Sequence, residues 1–299
     1  MKNTLWDDFK LYVLHSGNVQ YKLIAINVAV FIFFALLWML QTLFALNYPF
    51  SETVKYYLSL PSSFPGFVVR FWTFLTYQFL HAGFFHLLFN MLIFLFAGRI
   101  FREFLGDAKL LATYIIGGVC GGLMFILAMQ IFPLFQDKTP VLVGASASVM
   151  AVLVAIGTLL PNYTIHLMFL GPVRLIYIVA FLALVDILSL AGSNAGGHFA
   201  HLGGALWGFA YIRALNNGSD LAKWFTQSIS WSGDQFRPKQ KSNVRVKYYN
   251  ERATTTQPPK RNKVSQEEVD LILDKIARSG YDSLSQHEKD VLFRASKEH

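Results

Sequence analysis

A serine, two histidines, an asparagine and an aspartate interrupt stretches of sequence that are otherwise apolar. Ser146 lies in Gly144-Ala145-Ser146-Ala147, His201 in Ala200-His201-Leu202-Gly203-Gly204, and His86 stands one helical turn before Asn90. Asp186 follows the apolar run Leu182-Ala183-Leu184-Val185. A serine hydroxyl within hydrogen-bond reach of an imidazole is a nucleophile with its base. Imidazole and carboxamide N–H groups beside it are the donors that a developing oxyanion needs. The chemistry this set supports is acyl transfer. Taken singly, each residue has a plainer reading. A serine in a spanning helix often bonds back to the carbonyl four residues earlier. His201 could be a packing histidine, and His86 with Asn90 could join neighbouring helices. Ionisable groups in such surroundings are costly and usually functional, and the set as a whole favours chemistry.

Helices long enough to cross a bilayer must position these groups. About 20 mostly apolar residues suffice. Six stretches qualify or nearly qualify: Lys22–Leu46, Phe84–Phe101, Leu110–Phe132, Val141–Leu160, Val173–Gly192 and Gly197–Leu215. The expected fold is all-α, a polytopic membrane protein with six transmembrane helices over residues 22–216. A cytoplasmic N-terminal segment, 1–21, precedes it. The first apolar stretch begins only after that segment and is long enough to span, unlike a signal peptide. Counted from the outer side, Ser146 lies about five residues into the fourth stretch, on the order of 8 Å down at 1.5 Å per residue. His201 and His86 lie similarly shallow in the sixth and second, and Asp186 near the outer end of the fifth. A shared level for polar groups of different helices is explained by a water-filled chamber, because lipid cannot solvate them. Gly204 and Gly208 share a face with His201, so the sixth helix can press on the fourth and bring His201 to Ser146. Gly117 and Gly121 repeat that spacing in the third stretch with no catalytic group beside them.

Only 15% of the 299 residues are charged and 54% are hydrophobic, whereas soluble domains carry about 25% charged residues. The net charge of +8 could suit nucleic acid, but Lys and Arg concentrate after Arg213, beyond the last apolar stretch. There they set orientation and meet the head groups of the lipid bilayer, so no nucleic-acid partner is expected. Arg99, Arg102 and Lys109 at the junction of the second and third stretches, with Arg174 at the start of the fifth, place both termini in the cytoplasm. With no evident organelle-targeting segment, a bacterial inner membrane is the expected location. The long first outer loop, Asn47–His81, is rich in aromatic residues and proline, which suits a segment resting in the interface. The single Cys120 can form no internal disulfide. Beyond the bundle, a polar basic linker, 217–263, leads to a small helical appendage, 264–299. Ser265-Gln-Glu-Glu268 and Ser285-Gln-His-Glu288 are capping boxes. Val269, Ile272, Leu273 and Ile276 fall on one face of the first helix, Gly280 ends it, and the second carries Val291, Leu292 and Phe293. A docking module and a weakly folded solvated pair are both open, and the tail's partner is unknown.

Three motifs resemble the rhomboid family of intramembrane serine proteases: His81-Ala-Gly-Phe-Phe-His86-Leu-Leu-Phe-Asn90, Gly144-Ala145-Ser146, and Ala200-His201-Leu202-Gly203-Gly204 continuing to Gly208. The likeness covers roughly residues 20–215. It implies a six-helix rhomboid-like bundle and a Ser–His dyad without an acidic third member. Ser146 would be the nucleophile, His201 the base, and His86, Asn90 and the Ser146 N–H the oxyanion site. It implies no cofactor and no metal, and substrates that are single-span membrane proteins, cut where a transmembrane segment unwinds. Three positions depart from the pattern. Ala147 replaces a common Gly, Met150 stands where many members have a Tyr packed on the catalytic His, and Thr73 follows Trp72 where many have Arg. Gly144 and Gly204 are supporting small residues, and His198 and His81 are expected to be local scaffold bonded to loop carbonyls. Asp186 could orient a histidine as a triad's acid does, snorkel to the interface, or pair with a polar group of the sixth helix. The dyad pattern does not call for it. The glycine-rich loop Ala191–Gly197 could move as a cap. Two other functions compete. One is a catalytically inactive relative acting as a membrane chaperone or adaptor, against which stands the retention of both Ser146 and His201. The other is a small-solute transporter, against which stand the shallow polar groups and the lack of a clear repeat.

Overall fold

The computed structural model describes residues 17–167, 171–228 and 266–295. Helix α1, Val19–Leu43, opens where the Asn18 side chain accepts the N–H of Tyr21. Such a cap satisfies one of the free donors of a helix start. The chain then forms α2 (Phe50–Leu58), a short strand β1 (Leu60–Pro61), α3 (Phe64–Val69), the single turn α4 (Thr73–Thr76) and a 3₁₀ turn over Tyr77–Phe79. This segment between α1 and α5 is held by its own polar groups. Arg70 donates to the Tyr56 carbonyl and lies 4.0 Å over the Tyr56 ring. Trp72 Nε1–H donates to the Tyr57 carbonyl at 2.8 Å. Phe64, Val69 and Phe71 stay exposed.

Helix α5, Phe84–Ile131, contains both the second and third expected stretches. It is not one straight rod. Twenty residues of straight helix would part Phe94 and Tyr114 by about 30 Å, yet their ring centroids are 5.1 Å apart. The chain doubles back at Gly106, whose φ of +81° suits glycine alone among ordinary residues. Arg102 and Asp107 brace the turn at 2.6 and 3.1 Å. Asp107 also accepts the N–H of Val19 at 3.0 Å. Gln20 donates to the carbonyls of Phe94 and Leu95, and Asn27 to the Tyr114 hydroxyl, so α1 is tied to both arms of the hairpin.

The fourth stretch corrects the expectation. Val141–Leu142 form strand β2, paired antiparallel with β1, and Gly144 has φ +131°. These features exclude a helix there, so α6 runs only from Ser146 to Leu159. Ser146 is the first residue of its helix rather than lying a turn inside it. Strands β3 (Thr164–Leu167) and β4 (Gly171–Arg174) form an unforeseen antiparallel hairpin. Helix α7, Leu175–Leu188, starts later and ends sooner than expected, and α8, Ala195–Asn216, matches the sixth stretch closely. By length and composition α1 and α5 can cross a membrane, while α6 and α7 are shorter apolar helices.

Helix α6 is the interior helix of the larger unit. Every residue from Ala147 to Gly157 is buried, as expected of a helix that is apolar all round. Glycines of two neighbours grip it. A Cβ on Gly204 would lie 2.1 Å from the Ala147 carbonyl oxygen, and one on Gly208 would lie 2.2 Å from that of Ala151. From the second arm of α5, Cβ atoms on Gly117 and Gly121 would lie 2.3 and 2.5 Å from the Cβ atoms of Ala151 and Ala147. The second glycine pair, which has no catalytic group, therefore has a packing role.

Residues 240–299 form a separate compact unit, in which α9 (Gln266–Ser279) and α10 (Gln286–Ala295) are described. The Ser285 capping box is present. The Ser285 N–H donates to Glu288 Oε2 at 2.7 Å, and the Glu288 N–H donates to Ser285 Oγ at 3.3 Å. Gly280, at φ +77°, follows the end of α9. Ile272, Leu284 and Val291 are buried, but Leu273 and Phe293, expected on apolar faces, are 49% and 61% exposed. Two short helices have too little interior to cover them. The Ser265 box and most of the linker lie outside the described residues. Hydrogen bonds from Lys275 and then from Ser285 hold the Glu288 carboxyl down at about 2, against an ordinary 4.5. A depressed carboxyl contributes stability that is present above its unfolded value and lost as pH falls through the folded one. Amide protection over 266–295 is expected to fall between about pH 4.5 and 2, and Glu288→Gln is expected to remove that dependence.

Candidate active site

Ser146 opens α6, so its N–H is among the helix donors without an intrahelical partner and lies at the positive end of the helix dipole. The residue before the cap fixes what surrounds it. A Cβ on Gly144 would lie 2.8 and 2.9 Å from Cε1 and Nε2 of His86 and 3.5 Å from Ser146 Oγ. Only glycine allows the His86 ring to lie this close to the backbone. The N–H of Ala82 points at His86 Nδ1 at 3.5 Å, a long contact that leaves Nε2 for the interior. Buried Asn90 donates one amide hydrogen to the His86 carbonyl at 2.8 Å and keeps another.

Ser146, His86, Asn90 and His201 line one cavity of about 610 Å³, closed on one side by the Gly192–Gly197 segment. A smaller cleft of about 180 Å³ is lined by Asn90, Ser146, Met150, Asp186 and His201. The residues singled out in the sequence thus come together from α5, α6, α7 and α8. No hydrogen bond joins Ser146 to His201 among the described residues. Catalytic bonds of this kind commonly tighten only with substrate present.

Asp186 does not snorkel. It is 4% exposed, and its Oδ1 lies 2.8 Å from His201 Nδ1 and 2.7 Å from His198 Nδ1. His198, expected on a loop carbonyl, instead shares this carboxylate, because it sits one turn before His201 on the same face of α8. Asp186 Oδ2 is buried without a partner among the described residues. The three side chains have ligand atoms close enough to hold a metal ion. However, two donors on one tetrahedral zinc stand about 3.3 Å apart, given bonds of about 2.0–2.1 Å. The observed contacts are hydrogen-bond lengths.

His81 packs edge-on against His86 at 5.2 Å and is buried beside the Phe79 backbone, a loop partner of the kind expected for it. Burial, then the neighbouring His86, lowers it to about 4, so it is neutral. Sequence reasoning missed Tyr77. Its carbonyl accepts the Gly144 N–H at 3.0 Å and its hydroxyl donates to the Gly118 carbonyl at 2.6 Å, fixing the loop that carries the serine. An aromatic residue beside the His81 motif was the only signal.

A serine at a helix start, ringed by imidazole and carboxamide groups inside an apolar helical body, defines a class of membrane-type proteins with a polar interior site. The chain belongs to the rhomboid family, through a Rhomboid domain matched over residues 69–217. Residues 260–298 match DUF6576, a family of unknown function. The chain is 36% identical over 141 residues to RHOMBOID-like protein 1 of Arabidopsis thaliana, covering 46% of this chain and 33% of that protein. It is 31% identical over 163 residues to presenilin-associated rhomboid-like protein A, mitochondrial, of Danio rerio, covering 53% of this chain and 40% of that protein. The chain thus spans well under half the length of these relatives.

Proposed function

We propose that this protein is an intramembrane serine endopeptidase that cleaves transmembrane segments of single-span membrane proteins. The observation that carries the reading is the single cavity shared by Ser146, His201, His86 and Asn90. In this reading α1, the two arms of α5, α6, α7 and α8 are the six spans of a multi-pass protein of the cell's inner membrane, with both termini cytoplasmic. The short α6 suits a site open to water from the outer side.

Ser146 Oγ attacks the substrate carbonyl carbon while its proton passes to His201 Nε2. The oxyanion is met by the Ser146 N–H, His86 Nε2–H and the remaining Asn90 amide hydrogen. His201 then gives its proton to the leaving amine as the C–N bond breaks. A water attacks the acyl carbon and passes a proton to His201, which returns it to Ser146 Oγ as the acid departs. Losing one oxyanion donor costs about 10²–10³ in kcat. Asn90→Ala is therefore expected to slow cleavage by about that factor with little change in KM, while Ser146→Ala is slower still.

The test is purified protein with a model single-span substrate, alongside a serine-directed fluorophosphonate. Wild type should cleave and become labelled, and Ser146→Ala should do neither. Wild type that does neither would instead indicate the inactive chaperone or adaptor, and Ser146→Ala that cleaves normally would end the proposal.

A further inference from the structure

We propose that Asp186 is a positioning residue for His201, holding its Nδ1–H so that Nε2 is the atom presented to Ser146, with His198 as the second donor that fixes the carboxylate. This deepens the protease reading and rests on it. A carboxylate oxygen only accepts hydrogen bonds, and Oδ1 lies 2.8 Å from His201 Nδ1 and 2.7 Å from His198 Nδ1. Each Nδ1 therefore carries a hydrogen, and a neutral imidazole so protonated has its lone pair on Nε2. That is the tautomer a base for Ser146 needs. In the opposite tautomer, Nε2–H would face the serine and could take no proton from it.

Position matters as much as protonation. Asp186 stands at the end of α7, and both histidines stand in the first turns of α8, across the Ser189–Asn194 connection. One carboxylate thus fixes the ring's rotation and the closure of the two helices. Met150 lines the same cleft, but a thioether is flexible and a weak acceptor, and it cannot specify a ring orientation. A carboxylate with one oxygen buried and unpartnered is also a poor packing group. The arrangement is better explained by what its bonded oxygen holds.

The experiment compares full-length wild type, Asp186→Asn, His198→Gln and Ser146→Ala in detergent. It measures kcat and KM, and reads the His201 tautomer by ¹⁵N NMR of histidine-labelled protein. Asp186→Asn is expected to lower kcat on the order of 10²-fold with KM nearly unchanged. That is less than the roughly 10⁴-fold known where an acid alone orients the base, because packing on α8 also holds the ring. Wild-type His201 is expected to carry its hydrogen on Nδ1, and Asp186→Asn to lose that preference. His198→Gln should keep the tautomer and lose less than about tenfold, since one donor to the carboxylate is replaced rather than the acceptor removed. Wild-type His201 protonated on Nε2, or Asp186→Asn with wild-type kcat, overturns the inference. The tautomer is read on folded wild type and does not depend on turnover. A cleaving Ser146→Ala would therefore sink the protease reading, while an Nε2–H tautomer would sink the Asp186 assignment.

Discussion

Under the proposed protease mechanism, His201→Ala is expected to lower turnover of a single-span substrate by about 10⁴–10⁶-fold, Ser146→Ala to lower it comparably, and the double variant to be no slower than the worse single one. The expectation follows from the shared cavity. A hydroxyl without its base is a weak nucleophile, and an imidazole without the hydroxyl has nothing to activate. Once either is gone, what survives is stabilisation of the oxyanion by donors that neither variant removes, chiefly His86, Asn90 and the backbone N–H at position 146. Single-turnover cleavage with quantified product distinguishes the cases. Losses that multiply in the double variant would assign the two residues to independent roles.

Gly204→Val is expected to cost about 3 kcal/mol or more, beyond ordinary overpacking, and to leave little folded protein. The reason is what the new side chain meets. A Cβ at 204 falls 2.1 Å from the Ala147 carbonyl oxygen and 2.8 Å from its carbon. These are backbone atoms of the central helix, one residue past the serine, and no rotamer change can clear them. Gly83→Ser is the control. A Cβ there meets nothing within 4 Å, its φ is −172°, and it caps α5. Serine is a better N-cap, so thermal unfolding should be unchanged or slightly higher. If Gly204→Val melted like wild type, the close packing of α8 on α6 would be wrong.

The polar set and the helices that carry it were legible because charge and hydrogen-bonding groups stand out against an apolar background. Gly204 and Gly208 were readable for the same reason, since glycine in an apolar helix marks close approach. The start of α6 was not. Val141–Leu142 is as apolar as a helix, and periodicity cannot separate a short buried strand from a buried helical turn. The strand is decided by its partner, Leu60–Pro61, far away in sequence. The hairpin of β3 and β4 is local, but β4 runs directly into the apolar α7, so the apolar pattern does not mark the strand off. The shared partner of His198 and His201 also lay out of view. Helical spacing put both histidines on one face, but which side chain of α7 meets that face depends on how α7 and α8 close.

Helix α1 lies outside residues 69–217, yet its leading amide finds its acceptor on Asp107, 88 positions later. During translation that helix therefore emerges with one end chemically unfinished, and it is completed only after the ribosome has passed the reversal at Gly106. A nascent chain arrested short of that aspartate would keep the Asn18 cap and the Gln20 bonds to the first arm of α5 but leave the Val19 amide without its acceptor.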